Sequence, residues 1–388
     1  MNRRPLSEIR SAVIGSGFIA GLHIDALRRT GVEVAGVLTR DAAAARGSGR
    51  FPRVYDDLEQ LCADETVDAV HVTSPNHLHF PQVRALIAAG KHVVCEKPLA
   101  LSAADGAVML TEAERAGVVH AVCFNIRFNP VVHQARAMVR EGRIGTPRLV
   151  HGSYLQDWLL LDTDWNWRLD PAASGRLRAV ADIGSHWLDL VSFVTGARVT
   201  EVFADLATFL PVRRRPTGSV ETFTADRVGE VPREEVAVTS EDAAGILLRF
   251  DDGARGVLTV SQVSAGRKNA LSFEVSGSTA GLAWNSEDPE RLWIGHRGAF
   301  NELLLRDATL MSPDAQRITH YPGGHAEGFA ESFLGLVETV YAAIADGRQP
   351  DEPAYPTFAD GLEGLRLEDA VLTSHESGRW APVQRRNV

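Results

Sequence analysis

The sequence contains only three cysteines in 388 residues, namely Cys62, Cys95 and Cys123. So few thiols exclude the dense disulfide framework on which small secreted domains depend. They favour a reducing compartment, in which cysteine serves as a small core residue. We therefore expect a cytoplasmic protein.

Two further absences limit the partners that the chain can have. No run of about 18 apolar residues occurs, so no membrane-spanning helix is predicted. The apolar stretch 11–22 contains three glycines and continues into His23 and Asp25, which argues against a secretory signal. Basic residues are also in deficit, because 40 Lys and Arg against 50 Asp and Glu give a net charge of −10. This balance argues against nucleic acid or an anionic membrane as a partner, since both bind a basic face.

Apolar residues, by contrast, are plentiful at 45%, which is enough for a large core. At roughly 150 residues per domain the length predicts two to three domains, of which we expect two. Up to residue 125, short apolar β-branched runs alternate with helical segments, a pattern typical of an α/β domain with a doubly wound parallel sheet. The predicted strands are 11–14, 32–38, 67–73, 92–95 and 120–124, and the predicted helices are 19–30, 81–89 and 102–116.

The pattern changes after residue 125, so we assign residues 1–125 to the first domain and 126–388 to the second. Strands separated by turns then predominate, which predicts an α+β domain with a large, mostly antiparallel, open-faced sheet. The polar segment 213–233 is predicted to be an exposed loop. The predicted strands are 148–154, 199–207, 245–250, 256–263, 270–277 and 281–284, and the predicted helices are 130–140, 185–194, 326–345 and one that begins at a capping box of Thr357 and Asp360.

A glycine-rich turn follows the first predicted strand and opens the first helix. Its sequence is Gly15-Ser16-Gly17-Phe18-Ile19-Ala20. In such a G-x-G-x-x-A turn the first glycine permits a tight bend, and the second lets a pyrophosphate approach the backbone. The phosphates would lie at the helix N-terminus, whose free N–H groups favour anions. A turn kept only for packing is the alternative, and the alternating α/β context favours dinucleotide binding.

The end of the second predicted strand bears on the choice between NAD and NADP. An acidic residue there would bind the ribose 2′-hydroxyl of NAD. The chain has Thr39 and Arg40 at this point, and Asp41 comes one or two places late. Arg40 either binds a 2′-phosphate or is a solvated turn residue. The residue types at this strand end slightly favour NADP over NAD.

Polar residues also follow the third and fourth predicted strands, at the edge where open α/β sheets bind ligands. They are Ser74, Asn76, His77 and His79 after the third strand, and Glu96 and Lys97 after the fourth. Lys97 could polarise a substrate oxygen, or it could be a surface lysine. A metal site at His77 and His79 is disfavoured, because no matching cysteine or carboxylate lies nearby in the sequence.

In the second domain, Asp182 precedes His186 by four residues, and Asp189 follows it by three. If a helix begins near Gly184, His186 lies in its first turn, where positive potential disfavours imidazolium and leaves a neutral base. Asp189 could then orient the ring. The alternative is a core histidine with a satisfied N–H.

These motifs together resemble the Gfo/Idh/MocA oxidoreductases over nearly the whole chain. The segments that show the resemblance are the glycine turn, Pro75-Asn76 with His79, Gly90-Lys91-His92-Val93 leading to Glu96-Lys97-Pro98, and Asp182 with His186. Residues 164–168, 182–187, 266–269 and 324–325 resemble the sugar-oxidising branch of that family. The resemblance implies a Rossmann domain, an open-faced sheet domain and a substrate bound between them.

The resemblance also implies roles for single residues. Lys97, Asp182 and His186 would be catalytic. The cofactor would contact Gly15, Ser16, Gly17, Phe18, Ile19, Thr39, Arg40, Ser74, Asn76, His79, Glu96, Lys97, Asn125 and Arg168. The substrate, a sugar or polyol, would contact Lys97, Arg127, Trp158, Trp165, Asn166, Asp182, His186 and His325, and Trp167 and Trp187 belong to the same tryptophan-rich region.

One segment departs from the family pattern. Small residues are common before the Asp-x-x-x-His motif, whereas this chain has Arg176 and Arg178, which we consider as contacts for cofactor phosphates. Two rival functions are a non-catalytic NAD(P)-binding sensor and a metal hydrolase that uses His77, His79, Asp182 and His186. The open-faced sheet suggests a homodimer or homotetramer. The sugar, the oxidised carbon and the direction of reaction are left open.

Overall fold

The structure is a computed structural model that describes residues 3–217 and 232–384. The chain divides into two compact units. One comprises Met1–Asn125 and Ala330–Leu365, and the other comprises Ile126–Phe329 and Arg366–Val388. None of the helices among the described residues is long and apolar enough to cross a membrane.

The first unit is built on a six-stranded parallel sheet with the order β3-β2-β1-β4-β5-β6. All five predicted strands are present, and the predicted doubly wound fold class is confirmed. The added strand β3 is only two residues long, which is too short for a sequence pattern to reveal. The strands are β1 Arg10–Ile14, β2 Glu33–Leu38, β3 Val54–Tyr55, β4 Ala69–Val72, β5 His92–Cys95 and β6 His120–Val122. The helices are α1 Phe18–Thr30, α2 Ala42–Gly47, α3 Leu58–Ala63, α4 His79–Ala88 and α5 Ala103–Ala116.

The second unit is built on a nine-stranded sheet with the order β16-β15-β14-β13-β7-β12-β11-β8-β17. Its pairs are antiparallel except β7 with β12, which confirms the predicted large, mostly antiparallel sheet. The strands are β7 Pro147–Leu155, β8 Val199–Ala207, β9 Val212–Pro216, β10 Arg233–Ala237, β11 Ala243–Phe250, β12 Arg255–Ser261, β13 Ala270–Gly277, β14 Ala280–Asn285, β15 Arg291–His296, β16 Glu302–Leu305 and β17 Ala381–Pro382. The helices are α6 Pro130–Arg140, α7 Pro171–Ser174, α8 Ser185–Thr195 and α9 Pro313–Arg317.

The predicted exposed loop 213–233 needs a correction. Strand β9 pairs with β10 in a separate two-stranded ribbon, and Arg213 is fully buried. The reason is tertiary, since the Arg213 guanidinium donates to Asp242, 29 residues further along the chain. Residues 218–231 of the predicted loop lie outside the described residues.

The last two helices show where the predicted domain division differs from the compact units. They are α10 Phe329–Ala345 and α11 Phe358–Ser377. Residues 330–365 belong to the first unit, although the sequence analysis assigned them to the second domain. Phe358, Leu362 and Leu365 complete the core of the parallel sheet. An amphipathic pattern shows that a helix has a buried face but not which sheet that face covers.

One face of the large sheet carries exposed apolar residues. Following the strand register outward from β7, His151 lies between Val257 and Leu247 on one side and Glu274, Ala283, Trp293 and Leu303 on the other. Among the described residues of this row, Leu247, Val257, Trp293 and Leu303 are exposed, at 43%, 40%, 36% and 54% respectively. The sheet therefore has an open apolar face, as the resemblance implied.

Candidate active site

The glycine turn in the first unit has the geometry that its sequence predicts. Gly15 has φ +119°, and a Cβ there would lie 2.3 Å from Thr73 Oγ1. Its N–H donates to Leu38 O at 2.8 Å. Gly17 caps helix α1 without a side-chain hydrogen bond, and a Cβ there would meet nothing within 4 Å. Gly15 therefore makes the bend, whereas Gly17 borders open space beside a helix N-terminus.

The end of β2 lies beside this turn. Ser16 and Thr39 share a hydrogen bond between their hydroxyl oxygens at 2.7 Å. Asp41 caps helix α2, since its carboxylate accepts from Ala44 N at 2.9 Å. Arg40 is exposed next to these residues. The only acidic candidate at this strand end is thus engaged as a helix cap.

The loops after β4 and β5 are joined by His79. This side chain is fully buried, and its ring nitrogens lie 2.9 Å from Pro98 O and 2.9 Å from Ser74 O. Burial lowers the pKa of His79, and the two carbonyl oxygens oppose that effect. His79 therefore ties the Ser74 loop to the segment that carries Lys97, which is half-buried.

Glu96, beside Lys97, is held from within the sheet. It is 9% exposed, and His23 Nε2 lies 3.0 Å from its Oε1. Burial by itself raises the pKa of Glu96, but the hydrogen bond and charge of His23, the charge of Lys97 and a hydrogen bond from Cys123 together lower it to about 2. Asn125, also buried, donates to Ser332 Oγ at 2.8 Å within the same unit.

In the second unit, the Asp182 carboxylate accepts hydrogen bonds from two side chains, one at each oxygen. Arg168 Nε donates to Asp182 Oδ1 at 3.0 Å, and Gln262 Nε2 donates to Asp182 Oδ2 at 2.8 Å. Arg168 also donates to Asn166 Oδ1 at 3.2 Å. Asn166, Arg168 and Asp182 were all sequence candidates, and the fold brings them into one hydrogen-bonded group.

Helix α8 begins at Ser185, as predicted, but this start is not a free helix end. A wide helical turn, Val180–Gly184, leads into α8 without interruption, and Asp182 N donates to Arg178 O at 2.7 Å. His186 therefore lies beyond the first turn of the helical stretch, so an N-terminal dipole does not act on it directly. Such wide turns are frequent at functional sites, and this one contains Asp182.

His186 is 8% exposed and lies near an aromatic and amide group. The ring centroids of His186 and Tyr154 are 6.3 Å apart. Tyr154 donates its hydroxyl to Asn269 Oδ1 at 2.7 Å, and Gln156 donates to the same oxygen at 2.9 Å. Burial raises the pKa of Tyr154, and the Asp182 carboxylate raises it further.

A buried ion cluster anchors the wide turn. Glu241 accepts from Arg178 N at 2.9 Å and from Val180 N at 2.8 Å. The Arg178 side chain is buried and pairs with Asp242, which also accepts from Arg213 at 2.8 Å. The expectation that Arg178 contacts cofactor phosphates is therefore wrong. Arg176 is exposed and pairs with Glu376.

The tryptophans divide into two groups. Trp187 is fully buried and donates to Ser272 O at 2.8 Å, so it is a core residue. Trp158 and Trp165 are half-buried and pack on a small cluster of Leu159, Leu169 and Val238. Trp158 Nε1 also donates to Gln156 at 2.7 Å.

Two further substrate candidates have structural partners. Arg127 Nε donates to Asp189 Oδ2 at 2.7 Å, and its second bond reaches Asp189 Oδ1. The carboxylate expected to orient His186 is thus in a two-point salt bridge with Arg127. His325 is exposed, and its carbonyl oxygen accepts from Arg306, which is buried.

Sequence reasoning missed Gln262 and Tyr154 in the second unit and His23 and His71 in the first. No local motif marks these residues, because each reaches its partners through strand pairing or packing distant in sequence. Asn269 was noticed only as part of a family-like segment.

Two segments of the chain match family models. Residues 9–124 match an oxidoreductase family with an NAD-binding Rossmann fold, and residues 132–283 match a GFO/IDH/MocA C-terminal domain. Levoglucosan dehydrogenase from Pseudarthrobacter phenanthrenivorans is 30% identical over 349 residues, which covers 88% of this chain and 86% of that protein. The chain belongs to the Gfo/Idh/MocA family of oxidoreductases.

Further similarities agree with this membership. Myo-inositol 2-dehydrogenase from Thermotoga maritima is 26% identical, covering 97% of this chain and 99% of that protein. A structure of levoglucosan dehydrogenase in complex with NADH and L-sorbose has a TM-score of 0.86 and 26% identity, covering 97% of this chain and 99% of that chain. The family resemblance stated from the motifs is confirmed, and the chain is an NAD-binding oxidoreductase rather than a non-catalytic sensor.

Proposed function

We propose that this oxidoreductase transfers hydride between a nicotinamide cofactor and a secondary alcohol, or the matching ketone, of a sugar, anhydrosugar or polyol. The observation that carries the proposal is the arrangement around Asp182. Its carboxylate, held by Arg168 and Gln262, lies four residues before the buried His186 on one helical stretch. Such a group suits recognition of a hydroxyl beside a base.

The roles of the three catalytic candidates follow from their chemistry. A bound nicotinamide supplies the site that accepts or returns hydride. His186 removes the hydroxyl proton as the alcohol is oxidised and returns it in the reverse direction. Lys97 donates a hydrogen bond to the same oxygen and stabilises its developing negative charge. Asp182 orients the sugar or polyol, or tunes His186.

The remaining polar candidates would recognise the ring. Trp158 and Trp165 offer aromatic faces to C–H groups of a pyranose or inositol. Asn166, with Arg127 and His325, would bind hydroxyls of the same ring. In the cofactor half of the site, Asn125 and Asn76 would line the nicotinamide region together with Ser74 and Glu96.

For the nucleotide we propose NAD or NADP, with a slight preference for NADP. Arg40 is exposed beside the glycine turn, and Asp41 is engaged as the cap of α2. An exposed cation at this strand end suits a 2′-phosphate.

The direct test is a panel of sugars, anhydrosugars and polyols assayed with NAD+ and with NADP+. We expect cofactor reduction with at least one cyclic polyhydroxy substrate. Cofactor binding without reduction across the whole panel would contradict the proposal.

We also propose that the open sheet face is covered by a second copy, as a homodimer or homotetramer. Trp293 and Leu303 are paired across β15 and β16 and are both exposed. Replacing Leu303 with Glu should lower the mass measured by sedimentation. Leu310→Glu is the matched control, because Leu310 is 81% exposed and lies outside the sheet. A monomeric wild type would contradict this proposal.

A further inference from the structure

A chain of hydrogen bonds runs through the buried interior of the first unit and ends at Glu96. Ser11 Oγ donates to Ala69 O at 3.1 Å, and Tyr341 donates its hydroxyl to Ser11 Oγ at 2.7 Å. His71 Nε2 lies 2.9 Å from the Tyr341 hydroxyl oxygen, and His71 Nδ1 lies 2.6 Å from His23 Nδ1. The last contact joins His23 Nε2 to Glu96 Oε1 at 3.0 Å.

The direction of this chain is set at its far end. A carbonyl oxygen only accepts hydrogen bonds, so the Ser11 hydroxyl donates its one hydrogen to Ala69 O. Ser11 Oγ must therefore accept from the Tyr341 hydroxyl. Tyr341 has then used its own hydrogen and must accept from His71 Nε2–H. A neutral His71 protonated at Nε2 carries no proton on Nδ1, which therefore accepts from His23 Nδ1–H.

Assigning donors and acceptors in the same way leaves His23 with a proton on each ring nitrogen. Its Nδ1–H is committed to His71, and its Nε2 needs a second hydrogen to reach the Glu96 carboxylate, which only accepts. We infer that His23 is held as an imidazolium paired with the Glu96 carboxylate, and that this pair is a positioning device for Lys97.

Two pKa directions agree with this assignment of charge. Burial and the neighbouring His23 lower the pKa of His71 far below its usual range, so His71 is the neutral member of the histidine pair. The pKa of Glu96 is about 2, so its carboxylate is ionised at neutral pH. A buried charge of either sign is costly alone, and here each has a partner.

Glu96 connects the pair to the proposed reaction. Its second oxygen, Oε2, accepts from Lys97 N at 3.2 Å, so the carboxylate holds the backbone from which the Lys97 side chain extends. The imidazolium also balances the carboxylate beside the Lys97 ammonium. Other titratable groups also face the pair or act on it: His71, His79, Cys95, Cys123, Tyr341 and Lys97, with Asp68 acting on Tyr341.

A metal ion is the competing occupant of this cluster. Ligand atoms of His23, Glu96 and Cys123 all lie within 4.8 Å of one another. Burial raises the pKa of Cys123 well above its usual range, so the thiol keeps its proton, whereas a metal ligand must be a thiolate. The hydrogen bond between His23 and Glu96 also occupies two of the three ligand atoms.

The test is ¹⁵N NMR of the histidine rings in the full-length protein, since it reports which ring nitrogens carry protons. Between pH 6 and 8 we expect the His23 ring, assigned by the loss of its signals in His23→Asn, to carry a proton on both nitrogens. We expect His71 to be neutral with its proton on Nε2. A singly protonated His23, or zinc near one equivalent that is lost in Cys123→Ala, would overturn the inference.

Ser11→Ala tests the directional argument at the opposite end of the chain. Without the Ser11 hydroxyl, Tyr341 can donate to His71, which then donates from Nδ1 and leaves His23 with a single proton on Nε2. Ser11→Thr keeps the hydroxyl and should keep the doubly protonated His23. Tyr341→Phe provides a second route should Ser11→Ala not fold, and we expect the same loss of one proton from His23. An unchanged His23 in whichever of these variants folds would contradict the mechanism.

A kinetic measurement tests the link to Lys97, and it alone rests on the proposed function. With the imidazolium neutralised in Ser11→Ala, the Glu96 carboxylate acts unbalanced on Lys97. The alkaline limb of the pH profile of kcat/KM should then move upward by up to about one pH unit. An unshifted profile together with the NMR change would remove the role for Lys97. The NMR result stands independently, so failure to find any substrate is distinguishable from failure of this inference.

Discussion

The two units hold their polar groups in different ways. In the first unit the glycine turn and the loop after β4 are held by bonds to backbone oxygens: Gly15 N–H donates to Leu38 O, Thr73 Oγ1 donates to Ile14 O, and the His79 ring nitrogens lie against Ser74 O and Pro98 O. In the second unit Asp182 depends on side chains from other segments, Arg168 and Gln262. Removing one side-chain partner should therefore matter most in the second unit, where a buried charge would lose its counterpart.

The largest effect is expected at the ion cluster of the second unit. Asp242→Asn leaves Arg178 and Arg213 buried beside a neutral amide, and breaking a buried pair typically costs about 3–5 kcal/mol. We expect a loss of this size in the free energy of unfolding, measured with urea at pH 7. A loss below about 1 kcal/mol would show that the cluster behaves like a surface salt bridge.

The same variant gives a pH dependence whose sign is fixed. Burial by itself raises the pKa of Asp242, but the backbone hydrogen bond from Leu210, the charge of Arg178 and the hydrogen bonds from Arg178 and Arg213 lower it overall. A folded pKa below the unfolded one stabilises the protein above the unfolded value and stops doing so as pH falls through the folded value. The difference between wild type and Asp242→Asn should therefore be full at neutral pH and shrink in acid. A difference that grows in acid would contradict this sign.

Catalysis should be lost when either unit loses its reactive side chain. We expect His186→Ala and Lys97→Ala each to lower kcat by at least about a hundredfold, the usual scale for a positioned acid–base group. His296→Ala, on strand β15 next to the edge strand β16, is the control for removing a histidine. Near wild-type turnover in both active-site variants would disprove the assignment.

Alanine substitutions at the two glycines of the turn should have different effects, one on the stability of the fold and the other on nucleotide affinity. Gly15→Ala forces a Cβ to within 2.3 Å of Thr73 Oγ1 at φ +119°, so we expect about 1–3 kcal/mol of destabilisation. Gly17→Ala meets nothing within 4 Å, so its thermal stability should be unchanged. Its Kd for the nucleotide should nevertheless rise about tenfold, because the methyl occupies space near the phosphates. Equal melting temperatures for the two variants would contradict this division of roles.

The smallest effect concerns the cofactor preference. Arg40→Ala should raise KM for NADP roughly tenfold, as expected for one lost charge-assisted contact, and change KM for NAD little. Arg46→Ala, an exposed arginine paired with Asp56, is the control for removing a positive charge. An equal effect of Arg40→Ala on both nucleotides would remove the NADP preference.

The difference between the units also explains how far sequence reasoning reached. The glycine turn, the five long parallel strands and the capping box of Thr357 and Asp360 are local patterns, and the structure contains each of them. The placement of His186 in the first turn of a free helix end, the exposure of Arg213 and the phosphate role of Arg178 were wrong. In each case the deciding partner, such as Glu241 or Asp242, lies tens of residues away and leaves no periodic signal.

The few cysteines, the acidic balance, the Rossmann turn and the Asp-x-x-x-His spacing are properties of the sequence by itself, because each depends on residue type or on neighbours within one helical turn. Tertiary structure decided that Asp182 lies in a wide helical turn whose backbone donates to Glu241. It placed residues 330–365 in the unit of the parallel sheet. It also decided that His23, His71 and Tyr341 form one hydrogen-bonded chain. The direction of that chain, and hence the charge on His23, is set by the hydrogen bond from Ser11 to the carbonyl oxygen of Ala69. That bond forms only because strands β1 and β4 pair.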